Sequence, residues 1–277
     1  MNGDVENILD LLEDTAVFLE WQKRLGHNGL PIQMLLEHRK QKQVEEKPKF
    51  QHNTLPSENE MARKPAVPKA DKMSKPVLPT FSAADEKITL EAIKNEIGDC
   101  KRCKLCKTRN SIVFGEGDPN ADIMFIGEGP GKDEDEQGRP FVGRAGKLLD
   151  RWIELGMGLK REDVYIGNIV KCRPPGNRNP ETDESEACIG FIKQQIKAVK
   201  PKVLVLLGNV PTGRMLGEKT GITKVHGTWY SYEGIPTMPI FHPSYCLRPP
   251  QDEKRKIIWA DIKKILKFLD MPIPGKK

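Results

Sequence analysis

The chain has 277 residues, a formal net charge of +6 and 37% hydrophobic residues. That length suffices for one well-packed domain with additional material, and the charge permits an anionic partner without requiring one. No apolar run is long enough to cross a bilayer, and the acidic opening Met1-Asn2-Gly3-Asp4 lacks the basic stretch and apolar core of a secretory leader. The expectation is a monomer free of membranes in a reducing cytoplasm, where cysteines are rarely paired as disulfides.

In chain order, Val5, Ile8, Leu9, Leu12, Phe18, Leu19 and Trp21 recur at three- and four-residue steps. They predict a helical extension over 1–40, with Asp4 as its N-cap and a break at Gly26-His27-Asn28-Gly29. A second helix is expected from Gln33 to Glu46. Such a pair would dock on the main domain or bind a partner. Residues 41–81 are rich in Pro, Lys and Glu and poor in aromatics, the composition of a flexible linker.

From Ser82 the pattern becomes globular, and one domain is expected over 82–277. Helices are predicted over Glu86–Ile97, Gly146–Met157, Glu181–Val199, Asn209–Leu216 and Glu253–Leu269. Strands are predicted over 121–126, 163–170, 202–208 and 236–241. Alternating strands and helices imply an α/β fold of three layers, αβα, around a central, mostly parallel four-stranded sheet. Ligands of such sheets lie at the carboxyl ends of the strands. That places Gly127-Glu128, Asn168 and His242 on one rim.

Six cysteines are present. Cys100 and Cys103 form a C-x-x-C pair, 68 residues separate Cys103 from Cys172, and 15 separate Cys172 from Cys188. Two thiolates three apart in a turn converge on one metal centre. Zinc and an iron–sulfur cluster both accept four thiolates, and the spacing favours neither. Cys106 and Cys246 are left over.

The turn Gly127-Glu128-Gly129-Pro130-Gly131-Lys132 fails both the dinucleotide fingerprint and the phosphate-cradling P-loop. It remains a tight turn after a strand that lets a ligand approach the backbone. The acidic run Asp133-Glu134-Asp135-Glu136 reads as a solvated loop. Phe141, inside Gly138-Arg139-Pro140-Phe141-Val142-Gly143-Arg144-Ala145-Gly146, is either core or a stacking platform for a planar ligand. His242-Pro243-Ser244-Tyr245 puts a histidine at a strand end, held rigidly by the following proline.

Taken together, the stretch from Cys100 to about Leu269 resembles the family 4 uracil-DNA glycosylases. The likeness rests on the cysteine spacing, the turn at 127–131, the block at 138–146 and Asn168 before Lys171-Cys172-Arg173-Pro174-Pro175. It also rests on Ile222-Thr223-Lys224 and on the histidine motif at 242–245. It does not reach residues 1–85.

The resemblance implies an enzyme that flips uracil out of DNA and hydrolyses the N-glycosidic bond, as base excision repair requires. Cys100, Cys103, Cys172 and Cys188 would hold a [4Fe-4S] cluster that staples the scaffold and does no hydrolysis. Phe141 would stack on uracil and Asn168 would read its O4 and N3–H, with Gly129 in the same turn against the base. His242 would stabilise the departing anion at O2, and Glu128 would position water. Glu134 would organise Asn168 and His242 and wall off a thymine methyl. Ser244, Leu247, Arg248, Lys171 and Arg173 would meet the DNA, with Leu247 as the wedge that fills the gap. Single- or double-stranded uracil DNA would be the substrate, at the nucleoid, and residues 1–80 would tether a repair or replication protein. The competing readings are a catalytically silent iron–sulfur protein that binds nucleic acid, and a glycosylase for another deaminated base such as hypoxanthine.

Overall fold

The computed structural model describes residues 88–217, 219 and 221–275. The helical extension and linker expected over 1–81 lie outside the described residues. The described elements run α1 (Leu90–Ile97), β1 (Glu116–Gly117), β2 (Ile123–Gly127), α2 (Lys132–Gln137), α3 (Arg144–Arg151), β3 (Tyr165–Asn168) and α4 (Thr182–Val199). They continue with β4 (Val203–Leu207), α5 (Asn209–Leu216), α6 (Ile222–Val225), β5 (Tyr230–Tyr232), β6 (Ile235–Ile240), α7 (Pro243–Cys246) and α8 (Gln251–Phe268).

The strands form one sheet of order β1-β3-β2-β4-β6-β5. Its centre is four parallel strands, β3, β2, β4 and β6, every residue of which is buried. Buried runs such as Val203-Leu204-Val205-Leu206-Leu207 are what a sheet covered on both faces requires, and helices supply the outer layers of the αβα sandwich. The expected four strands are these four. Two short antiparallel edges extend them: β1 pairs with β3, and β5 with β6. At two and three residues, these edges are too short to carry a readable alternation.

Helix α1 starts at Thr89, whose side chain accepts from the Ala92 amide, and buries Ile93 and Ile97. Helix α4 buries Cys188, Phe191, Ile192 and Gln195 on one stripe, so a thiol and an amide two turns apart face the same core. Helix α3 runs on through a π turn, Trp152–Met157, which ends where the helix expected over Gly146–Met157 ends.

A further departure follows β2. The acidic run 133–136 is helix α2, not a solvated loop. Asp135 is fully buried and accepts from the Asn110 and Ser111 amides and from Asn110 Nδ2. Partnered carboxylates of this kind escape the cost of burial that makes isolated ones rare.

Candidate active site and a cysteine-lined cavity

A cleft of about 570 Å³ opens at the carboxyl ends of the parallel strands. It lies where the chain reverses its strand order, with β3 on one side of β2 and β4 on the other. Crevices form at such switch points because successive connections leave in opposite directions. Its walls are the turn after β2, Asn168 at the end of β3, Gly208 after β4, His242 after β6, and Phe141.

Asn168 is 2% exposed, and its Oδ1 is buried without a hydrogen-bond partner among the described residues. Buried acceptors are nearly always satisfied, so an orphan aimed into a cleft points to a ligand donor. A Cβ on Gly127 would lie 2.3 Å from Asn168 Oδ1 and 2.6 Å from Phe141 Cζ. Glycine is therefore what lets the amide and the ring converge at that point.

Phe141 is 6% exposed and has φ of 51°. A bulky residue in that region is strained by about 1–3 kcal/mol and persists only where its surroundings over-determine it. Arg161 donates to the carbonyls of Pro140 and, at 3.2 Å, Phe141. Arg161 is itself gripped by Glu116 and Asp150. Glu134 Oε1 accepts from the Val142 and Gly143 amides, both at 2.8 Å, while Oε2 accepts from the Gly131 amide. Glu134 thus joins the turn after β2 to the Phe141 turn. It makes no direct hydrogen bond to Asn168 or His242; its contacts are to the backbone of these two turns.

His242 stands as the N-cap of α7, with Nδ1 accepting from the Ser244 amide at 3.1 Å and lying 2.8 Å from Ser244 Oγ. An Nδ1 that accepts leaves the ring proton on Nε2. Burial lowers the pKa to about 4, so the neutral, Nε2–H form prevails at physiological pH. The ring lies 5.7 Å from that of Phe141. Burial also raises the Glu128 carboxyl to about 7, as desolvation disfavours the charged form. Gly129 lines the cleft with its Cα against Val170, whose Cγ2 a Cβ there would meet at 2.6 Å.

At the rim, Ser244 and Arg248 line the cleft, and Leu247 is exposed beside them. Arg173 stands behind the cleft wall and donates to Asn177 Oδ1, a residue of that wall. Lys171 corrects the expectation of a DNA-facing charge. It is 1% exposed, and Nζ donates to the Asn168 carbonyl at 3.0 Å and to Gln195 Oε1 at 2.6 Å. Three residues past the end of buried β3, it turns inward, where those two acceptors offset desolvation.

A second cavity is lined by Cys100 and Cys103 below α1, Cys172 after β3 and Cys188 on α4. Cys106 and Cys246 lie outside its lining. Donors face three of the sulfurs: Arg102 to Cys100, Arg109 to Cys172 and the Lys171 amide to Cys188. Among the described residues no three His, Cys, Asp or Glu side chains are set to hold a single ion; the four thiols ring a space. Cationic neighbours and N–H donors suit anionic thiolates. The family resemblance named these four cysteines, but Arg161, Gln195 and Asp135 carry no motif and become visible only through their contacts.

The Uracil DNA glycosylase superfamily model matches residues 114–263. The chain is 46% identical over 192 residues to the type-4 uracil-DNA glycosylase of Sulfurisphaera tokodaii, covering 66% of this chain and 86% of the relative. It is 44% identical over 184 residues to that of Thermotoga maritima, covering 65% of this chain and 94% of the relative. With that of Saccharolobus solfataricus it shares 43% over 188 residues, covering 65% and 86%. A cleft with an unsatisfied asparagine, four converging cysteines and this extent of identity lead to one conclusion: the chain belongs to the uracil-DNA glycosylase superfamily, in its type-4 branch.

Proposed function

We propose that this protein excises uracil from DNA, leaving an abasic site. The observation that carries the reading is the unpartnered Oδ1 of Asn168 beside the Phe141 ring. The duplex hides the scissile bond, so the nucleotide turns outward at a cost of a few kcal/mol. Phe141 stacks on the uracil face, a contact of about 1–3 kcal/mol. Asn168 Oδ1 accepts from N3–H while its Nδ2 donates to O4. Cytosine inverts both groups and leaves the amide mismatched. The turn pinned by Glu134 is the wall that a thymine methyl would strike.

Cleavage builds negative charge on uracil O2 and positive charge on the sugar. His242, neutral with its proton on Nε2, donates to that developing anion, and one such donor is commonly worth about 10²–10³ in rate. Glu128, once ionised, orients the attacking water and faces the sugar cation. Arg248 and Arg173 meet phosphates, which position the strand without reading it.

Cys100, Cys103, Cys172 and Cys188 hold a [4Fe-4S] cluster in this reading. It does no hydrolysis; it ties α1, the loop after Asn168 and α4 together. Visible absorption and iron content on the purified protein test this, with Cys188→Ser expected to lose both. A colourless protein carrying zinc overturns it. A reducing cytoplasm and the nucleoid are the compartment that such thiols and such a substrate imply. Among the described residues no helix is long and apolar enough to cross a membrane.

The activity test uses oligonucleotides containing one uracil or one hypoxanthine, followed by alkaline cleavage of abasic sites. Scission at uracil is expected. No scission at either base favours a silent nucleic-acid-binding protein, and scission at hypoxanthine alone favours the other glycosylase.

A further inference from the structure

Helix α8 begins beside the rim of the cleft, and its first turn grips the loop that carries Leu247. Lys254 is 8% exposed, and its Nζ donates to the carbonyls of Tyr245 at 3.1 Å, Arg248 at 2.7 Å and Pro249 at 3.4 Å. The same ammonium lies 4.0 Å from the centroid of the Tyr245 ring. One turn earlier, Gln251 Nε2 donates to the Leu247 carbonyl at 2.9 Å. Gln251 and Lys254 stand three apart and so share a helix face. Between them they satisfy four carbonyls of a five-residue stretch.

Short helix α7 ends inside that stretch, where helix ends leave carbonyls without an intrahelical partner, although the Tyr245 carbonyl also accepts from the Arg248 amide at 3.2 Å. An ammonium offers three N–H donors and no acceptor. A largely buried one must spend those donors on protein oxygens. The loop it holds presents Tyr245 at 37% and Leu247 at 38% exposure, two of the three large hydrophobic side chains exposed among the described residues. They sit beside Ser244 and Arg248 of the cleft wall.

We propose that Lys254 is a positioning residue for action on duplex DNA: it fixes the Tyr245–Pro249 loop so that Leu247 enters the base stack pre-shaped. This rests on the uracil-excision reading. A leucine that replaces a flipped base must hold its place against restacking. A loop that orders only on entry would lose part of its binding free energy to that ordering. A single-stranded substrate has no opposing stack to fill, so the grip matters little there.

The test compares the unaltered protein with Lys254→Met, which keeps the stem and removes the donors, and with Lys254→Arg. Single-turnover rates and KM are measured on the same uracil oligonucleotide, single-stranded and in duplex. Lys254→Met is expected to lower kcat/KM on duplex by about tenfold or more, a loss of ordering size, with the single-stranded value unchanged within about twofold. Lys254→Arg recovers part of the duplex rate. Hydrogen exchange of the 245–248 amides is expected to quicken in Lys254→Met while the central strands stay protected. Equal loss on both substrates, or unchanged exchange in the loop, overturns the proposal. If Lys254→Met does not fold, Gln251→Ala, which releases the Leu247 carbonyl and the Arg255 guanidinium that Gln251 Oε1 accepts from, gives the same comparison. Inactivity of the unaltered protein on both substrates overturns the uracil reading instead, and loop exchange still decides whether Lys254 holds the loop.

Discussion

The ammonium of Lys171 donates to the backbone carbonyl of Asn168 at 3.0 Å, while the Lys171 amide donates to Cys188 Sγ at 3.3 Å. One buried residue therefore touches both the end of the strand that aims Asn168 and the cysteine-lined cavity. Its other acceptor, Gln195, is anchored in turn to the Phe114 carbonyl and the Tyr165 hydroxyl.

Replacing Lys171 by Met leaves the Asn168 carbonyl and Gln195 Oε1 buried without their donor, at about 1–3 kcal/mol for each orphan. The expected result is a lower melting temperature together with a raised KM for uracil DNA. A loss of stability with unchanged KM would show that Lys171 packs the core without steering Asn168.

Asn168→Ala removes the polar reader and leaves the stacking ring. Sites built to hydrogen-bond a substrate reject an analogue by about 10⁴–10⁵. Discrimination between uracil and cytosine should therefore fall by orders of magnitude. Competition assays with both bases in one oligonucleotide context measure the ratio. An unaltered ratio would mean that another group reads the edge.

The two acid–base groups of the cleft predict opposite trends. Glu128 is raised to about 7 and His242 lowered to about 4, both by burial. If ionised Glu128 orients the water, the single-turnover rate climbs as pH rises through about 7, and Glu128→Gln flattens the profile. Linkage fixes the stability side. The folded state keeps the Glu128 proton that the unfolded chain gives up above its ordinary carboxylate value, so Glu128 costs stability as pH rises through about 7. Glu128→Gln should thus raise the melting temperature at pH 8 more than at pH 5. For His242 the unfolded chain binds the extra proton, so its burial costs stability as pH falls from about 6.5 towards 4. A rate profile already flat in the unaltered protein removes Glu128 from the chemistry.

Leu247→Ala shortens the exposed side chain at the cleft mouth. Activity on duplex uracil is expected to fall well below that on single-stranded uracil. Parallel loss on both substrates would argue that Leu247 is no wedge.

Much of the fold was readable because its signals are local. Buried strands such as Val203–Leu207 are continuous apolar runs, and α4 shows its stripe. The family resemblance singled out four of six thiols, and the motif positions put Glu128, Asn168 and His242 on one rim, where the cleft lies. Edge strands β1 and β5 were not readable, since two or three residues carry no period.

The sequence by itself determined which residue types stand at strand ends and turns, because periodicity and spacing are properties of neighbours along the chain. Tertiary structure alone decided their directions. It turned Lys171 inward to Asn168 and Gln195, and it set Glu134 on the backbone of the Phe141 turn instead of on Asn168 or His242. It brought Arg161 and Lys254 to carbonyls that nothing in their own segments foretells. The physical reason is the same in each case. A buried charge goes where unpaired backbone groups are, and those groups are fixed by how distant elements pack.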